Sequence, residues 1–170
     1  TLIITVDCGI ANGQEIEICR EKGIDVIITD HHHVPQKLPQ TVAIINPHWQ
    51  DCGYPFADLA GVGVAFKLAQ ALYLTFDPKN IDQLKWSLDL VALGTIADSV
   101  PLGGENRVLV KYGLVVLSKT RRVGLEELYQ VGRLDITSEK IPSTHQVAFQ
   151  IAPRINAAGR MDHANMALAL

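Results

Sequence analysis

Residues 1–33 of the chain read TLIITVDCGIANGQEIEICREKGIDVIITDHHH. The β-branched run Leu2–Val6 predicts a strand, helical spacing of apolar residues follows as far as Lys22, and Ile24–Thr29 predicts a second strand. A strand, a helix and a strand at this spacing form a βαβ unit, which requires a parallel sheet and a right-handed crossover. The short apolar run Val42–Ile45 predicts a third strand. The sequence therefore predicts an α/β fold with a parallel-sheet core.

The rest of the chain is predicted to be mainly helical. The loop His48–Asp58 is the plausible boundary, and it divides the chain into a βαβ part, residues 1–48, and a mainly helical part, residues 49–170, that share one site. Helical patterns occupy residues 64–76, a stretch from 81 or 83 to 96, and residues 105–119, 125–131, 145–151 and 163–170.

Composition excludes several classes of protein. The 170 residues are 48% hydrophobic and 19% charged, which is typical of a globular chain rather than a disordered one or a coiled coil. A net charge of -3 excludes a globally basic nucleic-acid-binding domain, although it leaves room for a local basic groove or a metal site that handles phosphate. Three cysteines without a CxxC pair predict no disulfide framework and a reducing, cytoplasmic location.

The ends of the chain and its apolar runs lead to three further expectations. No apolar run approaches ~18 residues, so we expect no membrane span. Residues 1–6 lack a charged leader and a cleavage site, so we do not expect them to be a signal peptide. Because the chain starts in a strand without Met and stops in a helical pattern, we expect it to be part of a longer protein.

Acidic and imidazole side chains follow the predicted elements. Asp7 follows the first strand, Asp30-His31-His32 follows the second, and Asp98 ends the helix that precedes it. The carboxyl ends of parallel strands meet at one edge of a sheet, where function gathers in such folds. Carboxylate oxygen and imidazole nitrogen together suit Mn²⁺, Mg²⁺, Zn²⁺ or Fe²⁺. These residues therefore predict a cation site.

Each of these residues also has a simpler interpretation. Asp7 could form an Asx turn or cap the following helix, and the histidine run could be a solvated loop. Against this, we expect the sheet to be buried on both faces, where a carboxylate is costly unless it is paired or metal-bound. Asp98 could face solvent, but its apolar neighbours predict a buried helix end, where an acid opposes the helix dipole.

Taken in order along the chain, these motifs resemble the DHH phosphoesterase superfamily, and within it the bacterial single-strand-specific 5′→3′ DNA exonucleases. The resemblance covers nearly the whole chain. It rests on Val6-Asp7-Cys8-Gly9-Ile10, Thr29-Asp30-His31-His32, Asn46-Pro47, Tyr54-Pro55-Phe56, Leu59 to Leu68, Gly94-Thr95-Ile96-Ala97-Asp98, and Arg154 to Arg160.

The resemblance implies a role for each matching residue. Asp7 is expected to bridge two metal ions, and His31 and Asp98 to be further metal ligands. His32 is expected to lie towards the scissile phosphate, with Asp30 orienting it. The cofactors implied are two Mn²⁺ or Mg²⁺ ions, and imidazole ligation favours Mn²⁺. The residues expected to contact DNA are Arg154, Asn156 and Arg160.

The chain also departs from the family pattern. The Asp-x-Asp motif on a preceding strand is absent, and so are the C-terminal substrate-binding domain and the oligonucleotide-binding fold. We therefore expect weak or no exonuclease activity from this chain alone. The implied partners are single-stranded DNA, with single-strand-binding protein and repair helicases as further candidates. The rival functions are a small-molecule DHH phosphoesterase, acting on pyrophosphate, short oligonucleotides or cyclic dinucleotides, and a non-catalytic DHH scaffold.

Three groups of residues could hold the substrate. Gly61 and Gly63 precede an apolar helix and could offer backbone N–H groups to a phosphate, with Lys67 adding a cation; the alternative is close packing at a tight turn. Arg154 and Arg160 could flank a phosphate backbone or be solvated. The loop aromatics could stack on bases or anchor the loop to the core; they are Trp49, Tyr54 and Phe56.

Overall fold

The computed structural model describes residues 1–161 and 163–169, which form two compact units. The first unit comprises residues 1–81 and 100–106, and the second comprises the described residues of 82–99 and 107–170. Each unit is described by itself below. The division after residue 48 that the sequence suggests stays a prediction.

The first unit contains a three-stranded parallel sheet. Strands β1 (Leu2–Val6), β2 (Asp25–Thr29) and β3 (Ala43–Ile45) lie in that order, and helix α1 (Gly13–Glu21) connects β1 to β2. In the register of the sheet, the last residues of the three strands lie side by side, as Val6, Thr29 and Ile45. The predicted α/β fold with a parallel βαβ core is confirmed.

The core of this sheet lies around its central strand. Val26 and Ile28 of β2 are buried and pack with Ile16 of α1. Strand β1 is different, because it is an edge strand that pairs with β2 alone among the described strands, and Leu2 is 52% exposed and Val6 50% exposed. The expectation of a sheet buried on both faces was therefore wrong for β1.

The remainder of the first unit leads from the sheet to a long helix. A short 3₁₀ helix (Gln50–Cys52) precedes α2 (Gly61–Phe76), which begins at Gly61 itself rather than at Val64 as predicted. Residues 100–106 also belong to this unit. There Asn106 is buried, and its side-chain N–H donates to the carbonyl of Asp58 at 2.6 Å.

The second unit is helical and contains a buried apolar cluster. The predicted helix from residue 81 or 83 to 96 is instead a 3₁₀ helix (Pro78–Ser87) followed by α3. The predicted mainly helical character of this part of the chain is confirmed. Its helices are α3 (Leu88–Ala97), α4 (Gly104–Leu117, which begins in the first unit), α5 (Val123–Val131), α6 (Thr144–Gln146), α7 (Ala152–Met161) and α8 (Asn165–Ala169). The buried cluster consists of Leu93, Ile96, Val110, Leu117, Leu125, Tyr129, Val147 and Ile151.

The region from residue 144 to 161 is more helical than the sequence suggests. A π-helical turn (Val147–Ile151) connects α6 to α7, so the helix continues through a stretch that the apolar pattern leaves unassigned. Pro153 has no N–H to donate, and the wider π turn before it is a place where the regular α-helical hydrogen bonds are already interrupted. Helix α8 agrees with the pattern predicted for residues 163–170, except that Leu170 lies outside the described residues.

The described residues contain no helix with the length and the apolar character that crossing a bilayer requires. The three cysteines, which all lie in the first unit, are free thiols.

Candidate metal centre

The loops that follow β1 and β2 start side by side. The N–H of Asp7 donates to the carbonyl of Thr29 at 3.0 Å, and the N–H of Asp30 donates to the carbonyl of Ile45 at 3.0 Å. The backbone hydrogen bonds of the parallel sheet thus continue one residue beyond the strands. They place Asp7 and Asp30 together at the carboxyl edge of the sheet. Asp7 has a φ of 64°, which turns the chain sharply as it leaves β1.

A carboxylate and two imidazoles meet at this edge. Nε2 of His31 lies 3.1 Å from Oδ1 of Asp7, and the ring centroids of His31 and His32 are 4.6 Å apart. One donor atom from each of the three residues lies within 4.8 Å of the others. Donors bound at about 2.1 Å to one ion lie about 3 to 4.2 Å apart. The cluster of Asp7, His31 and His32 is therefore compact enough to hold one divalent cation after small side-chain movements.

The three donors differ in exposure. The side chain of His31 is only 11% exposed, whereas those of Asp7 and His32 are 52% and 60% exposed. The expectation that Asp7 is buried was wrong, because β1 is an edge strand. The site is thus open to solvent on the side of Asp7 and His32.

Asp30 connects the two loops that carry the donors. Its side chain is buried; Oδ2 accepts the N–H of Ile10 at 2.9 Å, and Oδ1 accepts the N–H groups of His31 and His32 at 2.8 and 3.2 Å. Oδ1 also lies 2.7 Å from Nδ1 of His32. Burial alone would raise the pKa of Asp30, but these hydrogen bonds outweigh it and hold the pKa below its ordinary value. Asp30 is therefore a buried anion, and its hydrogen bonds hold the loops that carry Asp7, His31 and His32.

The charge of Asp30 also determines the proton position on His32. An ionised carboxylate only accepts hydrogen bonds, so Nδ1 of His32 carries the proton in this pair. In the neutral ring Nε2 then has the lone pair that a metal ligand or a proton acceptor needs. This arrangement agrees with the orienting role that the resemblance implies for Asp30.

Asn46 is a supporting residue to which the sequence analysis assigned no role. It is buried after β3; its amide N–H donates to the carbonyl of His32 at 2.9 Å, and its Oδ1 accepts the N–H of His48 at 2.8 Å. The side chain thus connects the histidine loop to the loop after β3. In the sequence, its position at the end of a third predicted strand groups it with Asp7 and Asp30, although position alone assigns no role.

The glycines of α2 do not face open space. Gly61 is buried and lies against the side chain of Asp7, while Gly63 lies against Leu59. Lys67 donates to Oε1 of Glu105 at 2.7 Å. The predicted phosphate contacts of Gly61 and Gly63 stay predictions, and the ammonium of Lys67 is engaged in an ion pair.

Two of the loop aromatics anchor the loop. The hydroxyl of Tyr54 donates to Oε2 of Glu105 at 2.5 Å, and Phe56 packs so closely on Gly104 that an added Cβ would lie 2.8 Å from its Cδ2. The interpretation that these aromatics fasten the loop is favoured over base stacking. Trp49 instead lines a cavity of about 330 Å³ beside β3.

The remaining predicted residues lie in the second unit. Asp98 follows α3 and is exposed, as are its neighbours Ala97 and Ser99, so the expectation of a buried helix end was wrong. Burial ends with Ile96, one residue before the helix itself ends. The role of Asp98 as a metal ligand stays a prediction.

The residues expected to contact DNA lie on one helix. Arg154, Asn156 and Arg160 are all exposed on α7, and the guanidinium of Arg154 donates to the carbonyl of Gln150. Six residues of α-helix rise about 9 Å and rotate by about 240°, so the two arginines project from different faces. Their role in DNA binding stays a prediction.

The comparison with known proteins agrees with this geometry. Residues 1–95 match the N-terminal domain of the DHH family. The chain belongs to the DHH family. This DHH-family chain is 49% identical over 170 residues to the single-stranded-DNA-specific exonuclease RecJ of Bacillus subtilis strain 168, an alignment that covers all of the chain but 20% of that relative. The chain thus spans about a fifth of the relative's length.

Solved structures resemble the DHH-family chain over nearly its whole length. A crystal structure of exonuclease RecJ bound to manganese has a TM-score of 0.81 and 38% identity, covering 98% of this chain and 40% of that one. RecJ of Thermus thermophilus in complex with Mn²⁺ has a TM-score of 0.79 and 40% identity, covering 99% of this chain and 24% of that one. Both structures support the arrangement of elements described above.

Proposed function

We propose that this chain is the DHH part of a metal-dependent nuclease that hydrolyses single-stranded DNA from the 5′ end. The observation that carries the proposal is the meeting of Asp7, His31 and His32 at the carboxyl edge of the sheet, in a chain similar along its whole length to RecJ. The chain spans only part of its relatives, so the activity is proposed for the intact protein.

The donor set supports a divalent cation of intermediate hardness. One carboxylate and two imidazoles suit Mn²⁺ better than Mg²⁺, which prefers oxygen ligands alone. Asp7 and His31 would hold the ion, and His32 lies close enough to contribute. When bound, such a cation supplies a water of lowered pKa and neutralises charge on the phosphate that is attacked.

The protein's own residues would orient the reaction. Asp30 keeps the proton of His32 on Nδ1, so that the lone pair of Nε2 is available to the cation or, where Asp7 and His31 alone hold the cation, to a proton beside the phosphate. His31 is held by its backbone hydrogen bond to the same carboxylate. The half-exposed side chains of Asp7 and His32 leave the phosphate an approach from solvent.

The other residues and partners of the sequence analysis stay predictions. Single-stranded DNA is the substrate that we propose, and single-strand-binding protein and repair helicases stay predicted partners, as a cytoplasmic location stays a predicted location. The predicted site residues in this group are Asp98, Gly61, Gly63, Arg154, Asn156 and Arg160.

The proposal is tested by offering the intact protein three substrates with Mn²⁺. We expect release of mononucleotides from a 5′-phosphorylated single strand and no release from the matched blunt duplex or from pyrophosphate. Hydrolysis of pyrophosphate alone would instead indicate a small-molecule phosphoesterase. Mn²⁺ binding without any hydrolysis would indicate a non-catalytic scaffold, and either result would refute the proposal.

Two substitutions connect this activity to the cluster. Asp7→Asn and His31→Gln should abolish hydrolysis while circular dichroism shows a folded protein, because Asp7→Asn keeps the shape of the side chain and His31→Gln fills much of the space of the mostly buried imidazole. Asp25→Asn is a matched control, since Asp25 is exposed at the opposite end of β2. Full activity of either cluster variant would contradict the proposed site.

A further inference from the structure

The first residue of α2 touches a donor of the metal centre. Gly61 is buried, and a Cβ built on it would lie 2.6 Å from both Cβ and Cγ of Asp7, and closer still to Oδ1. Real Cβ atoms essentially never approach other atoms within 3.0 Å. The space that a side chain at Gly61 would need is thus occupied by the carboxylate that faces His31.

Asp7 cannot easily move out of this contact. Its N–H is held by the carbonyl of Thr29, and its backbone is already in the left-handed region with a φ of 64°. Rotation about χ1 could move Oδ1, but it leaves Cβ in place, and Cβ alone is within 2.6 Å of the added atom. Relief would therefore require the end of β1 or the start of α2 to shift.

We infer that Gly61 is a positioning residue for the metal ligand Asp7, an inference that rests on the proposed function. Because Gly61 has no side chain, the first turn of α2 can pack directly against the carboxylate of Asp7. This contact restricts the carboxylate to the position in which Oδ1 lies 3.1 Å from Nε2 of His31. The amino end of a helix also carries partial positive charge, which favours an anion at this place. This role differs from the phosphate contact expected from the sequence.

The test is Gly61→Ala in the intact protein, with Mn²⁺ binding as the readout. We expect an affinity for Mn²⁺ at least ~10-fold weaker, the effect typical of disturbing the surroundings that orient a metal ligand. The electron paramagnetic resonance spectrum of the remaining bound Mn²⁺ should change as well, since the carboxylate is displaced. Unchanged affinity and an unchanged spectrum would overturn the inference.

Gly113→Ala is the matched control for a tight glycine away from the donors. Gly113 lies in α4, where an added Cβ would meet the carbonyl oxygen of Leu88 and lie 2.5 Å from Cβ of Ala92. This variant should lower the unfolding temperature but leave the Mn²⁺ affinity within about twofold of the parent. An equal loss of affinity in both variants would show that Gly61 acts only through general stability, and it would refute the inference.

A double variant keeps the inference testable if Gly61→Ala folds poorly. Asp7→Gly removes the side chain that the new methyl group meets, so the unfolding temperature lost through Gly61→Ala should be largely recovered in the combination. A double variant as unstable as the sum of the single variants would mean that Asp7 is not the group that Gly61 accommodates.

Asp7→Asn separates this inference from the proposed function. If Asp7→Asn leaves Mn²⁺ binding intact, the proposed metal centre is refuted. If Asp7→Asn abolishes binding but Gly61→Ala does not weaken it, the metal centre stands and only the positioning role of Gly61 is refuted.

Discussion

The carboxylate of Asp30 accepts the backbone N–H of Ile10 at 2.9 Å and so joins the loop after β1 to the loop after β2. The two loops carry Asp7 on one side and His31 and His32 on the other. Because Asp30 also accepts three N–H groups from its own loop, one buried side chain determines the relative position of all three donors.

Asp30→Asn should therefore damage both stability and metal binding. An amide has one acceptor oxygen and adds two donors, so it cannot accept the four N–H groups that converge on the carboxylate. We expect a loss of about 2 kcal/mol in the free energy of unfolding and ~10-fold weaker Mn²⁺ binding. Urea unfolding and a Mn²⁺ titration measure the two effects.

Asp25→Asn is the control for this substitution. Asp25 begins β2 and is exposed, so its free energy of unfolding should change by less than about 0.5 kcal/mol. Equal stability of the Asp25→Asn and Asp30→Asn variants would contradict the role of Asp30.

Arg122→Ala should destabilise the second unit. Nε of Arg122 donates to Oδ2 of Asp89 at 2.8 Å, and Nη2 lies 3.4 Å from Oδ1. Asp89 is buried, so removing its cation leaves a buried carboxylate; since Arg122 is 44% exposed, water replaces part of the interaction. We expect a loss of about 2 kcal/mol in urea unfolding, below the full cost of breaking a buried pair.

The neighbouring arginine provides the comparison. Arg121 lies over the ring of Trp86, 3.6 Å from its centroid, and Arg121→Ala should cost only about 0.5 to 1 kcal/mol. A larger loss in the free energy of unfolding for Arg121→Ala than for Arg122→Ala would show that the buried carboxylate of Asp89 does not determine the cost of losing Arg122.

Glu105→Gln should weaken the attachment of the Tyr54 loop in a pH-dependent manner. Burial raises the pKa of Glu105, but hydrogen bonds from Lys67 and Tyr54 outweigh it, so the pKa lies below its ordinary value. A lowered pKa stabilises the fold above the ordinary value of about 4.3, and this contribution is lost as the pH falls through the folded pKa. Because the side chains are about a third exposed, we expect a cost below about 1 kcal/mol at pH 7.

The measurement is urea unfolding of the parent and of Glu105→Gln at pH 7 and near pH 3. The difference between the two proteins should shrink at the lower pH. Glu127→Gln, an exposed position on α5, should show no such change. A difference that stays constant with pH would indicate that the ion pair does not contribute.

Tyr129→Phe should change how stability falls in alkali. Burial, with smaller contributions from Asp89 and Glu126, raises the pKa of Tyr129 above its ordinary value of about 10. A raised pKa stabilises the fold below pH 10, and this contribution is lost as the pH rises and the unfolded chain releases the proton first. Tyr129 alone then contributes up to about 1.4 kcal/mol per pH unit to the decline.

Urea unfolding between pH 9 and pH 11 checks this prediction. The parent should lose stability more steeply than Tyr129→Phe, although the variant starts about 1 kcal/mol lower because it lacks the hydrogen bond from the hydroxyl to the carbonyl of Leu117. Parallel curves for the two proteins would contradict the prediction.

The sequence predicted the βαβ core well because that part depends on local patterns. The runs Leu2–Val6 and Ile24–Thr29 are apolar and β-branched, and Gly23 ends the helix between them, so each element follows from its own residues. Where longer-range packing matters, the predictions were less accurate. The 3₁₀ helix Pro78–Ser87 has the apolar spacing of an α-helix, and the continuation of helix through Pro153 depends on a π turn that spacing does not reveal.

The solvent exposure of individual side chains could not be predicted from the sequence either. A run such as Leu2–Val6 has the same composition in a central strand and in an edge strand, so the half exposure of Asp7 depends on which neighbours pair with β1. The apolar residues before Asp98 likewise do not show at which turn the helix leaves the core.

By itself, the sequence determined the edge of the sheet at which Asp7, His31 and His32 lie, because a parallel βαβ unit brings successive strand ends together. Only the tertiary structure decided how those donors are held. The bond from Ile10 to Asp30 and the contact of Gly61 with Asp7 join residues that are far apart in the chain, and such contacts arise from packing in three dimensions rather than from any local pattern.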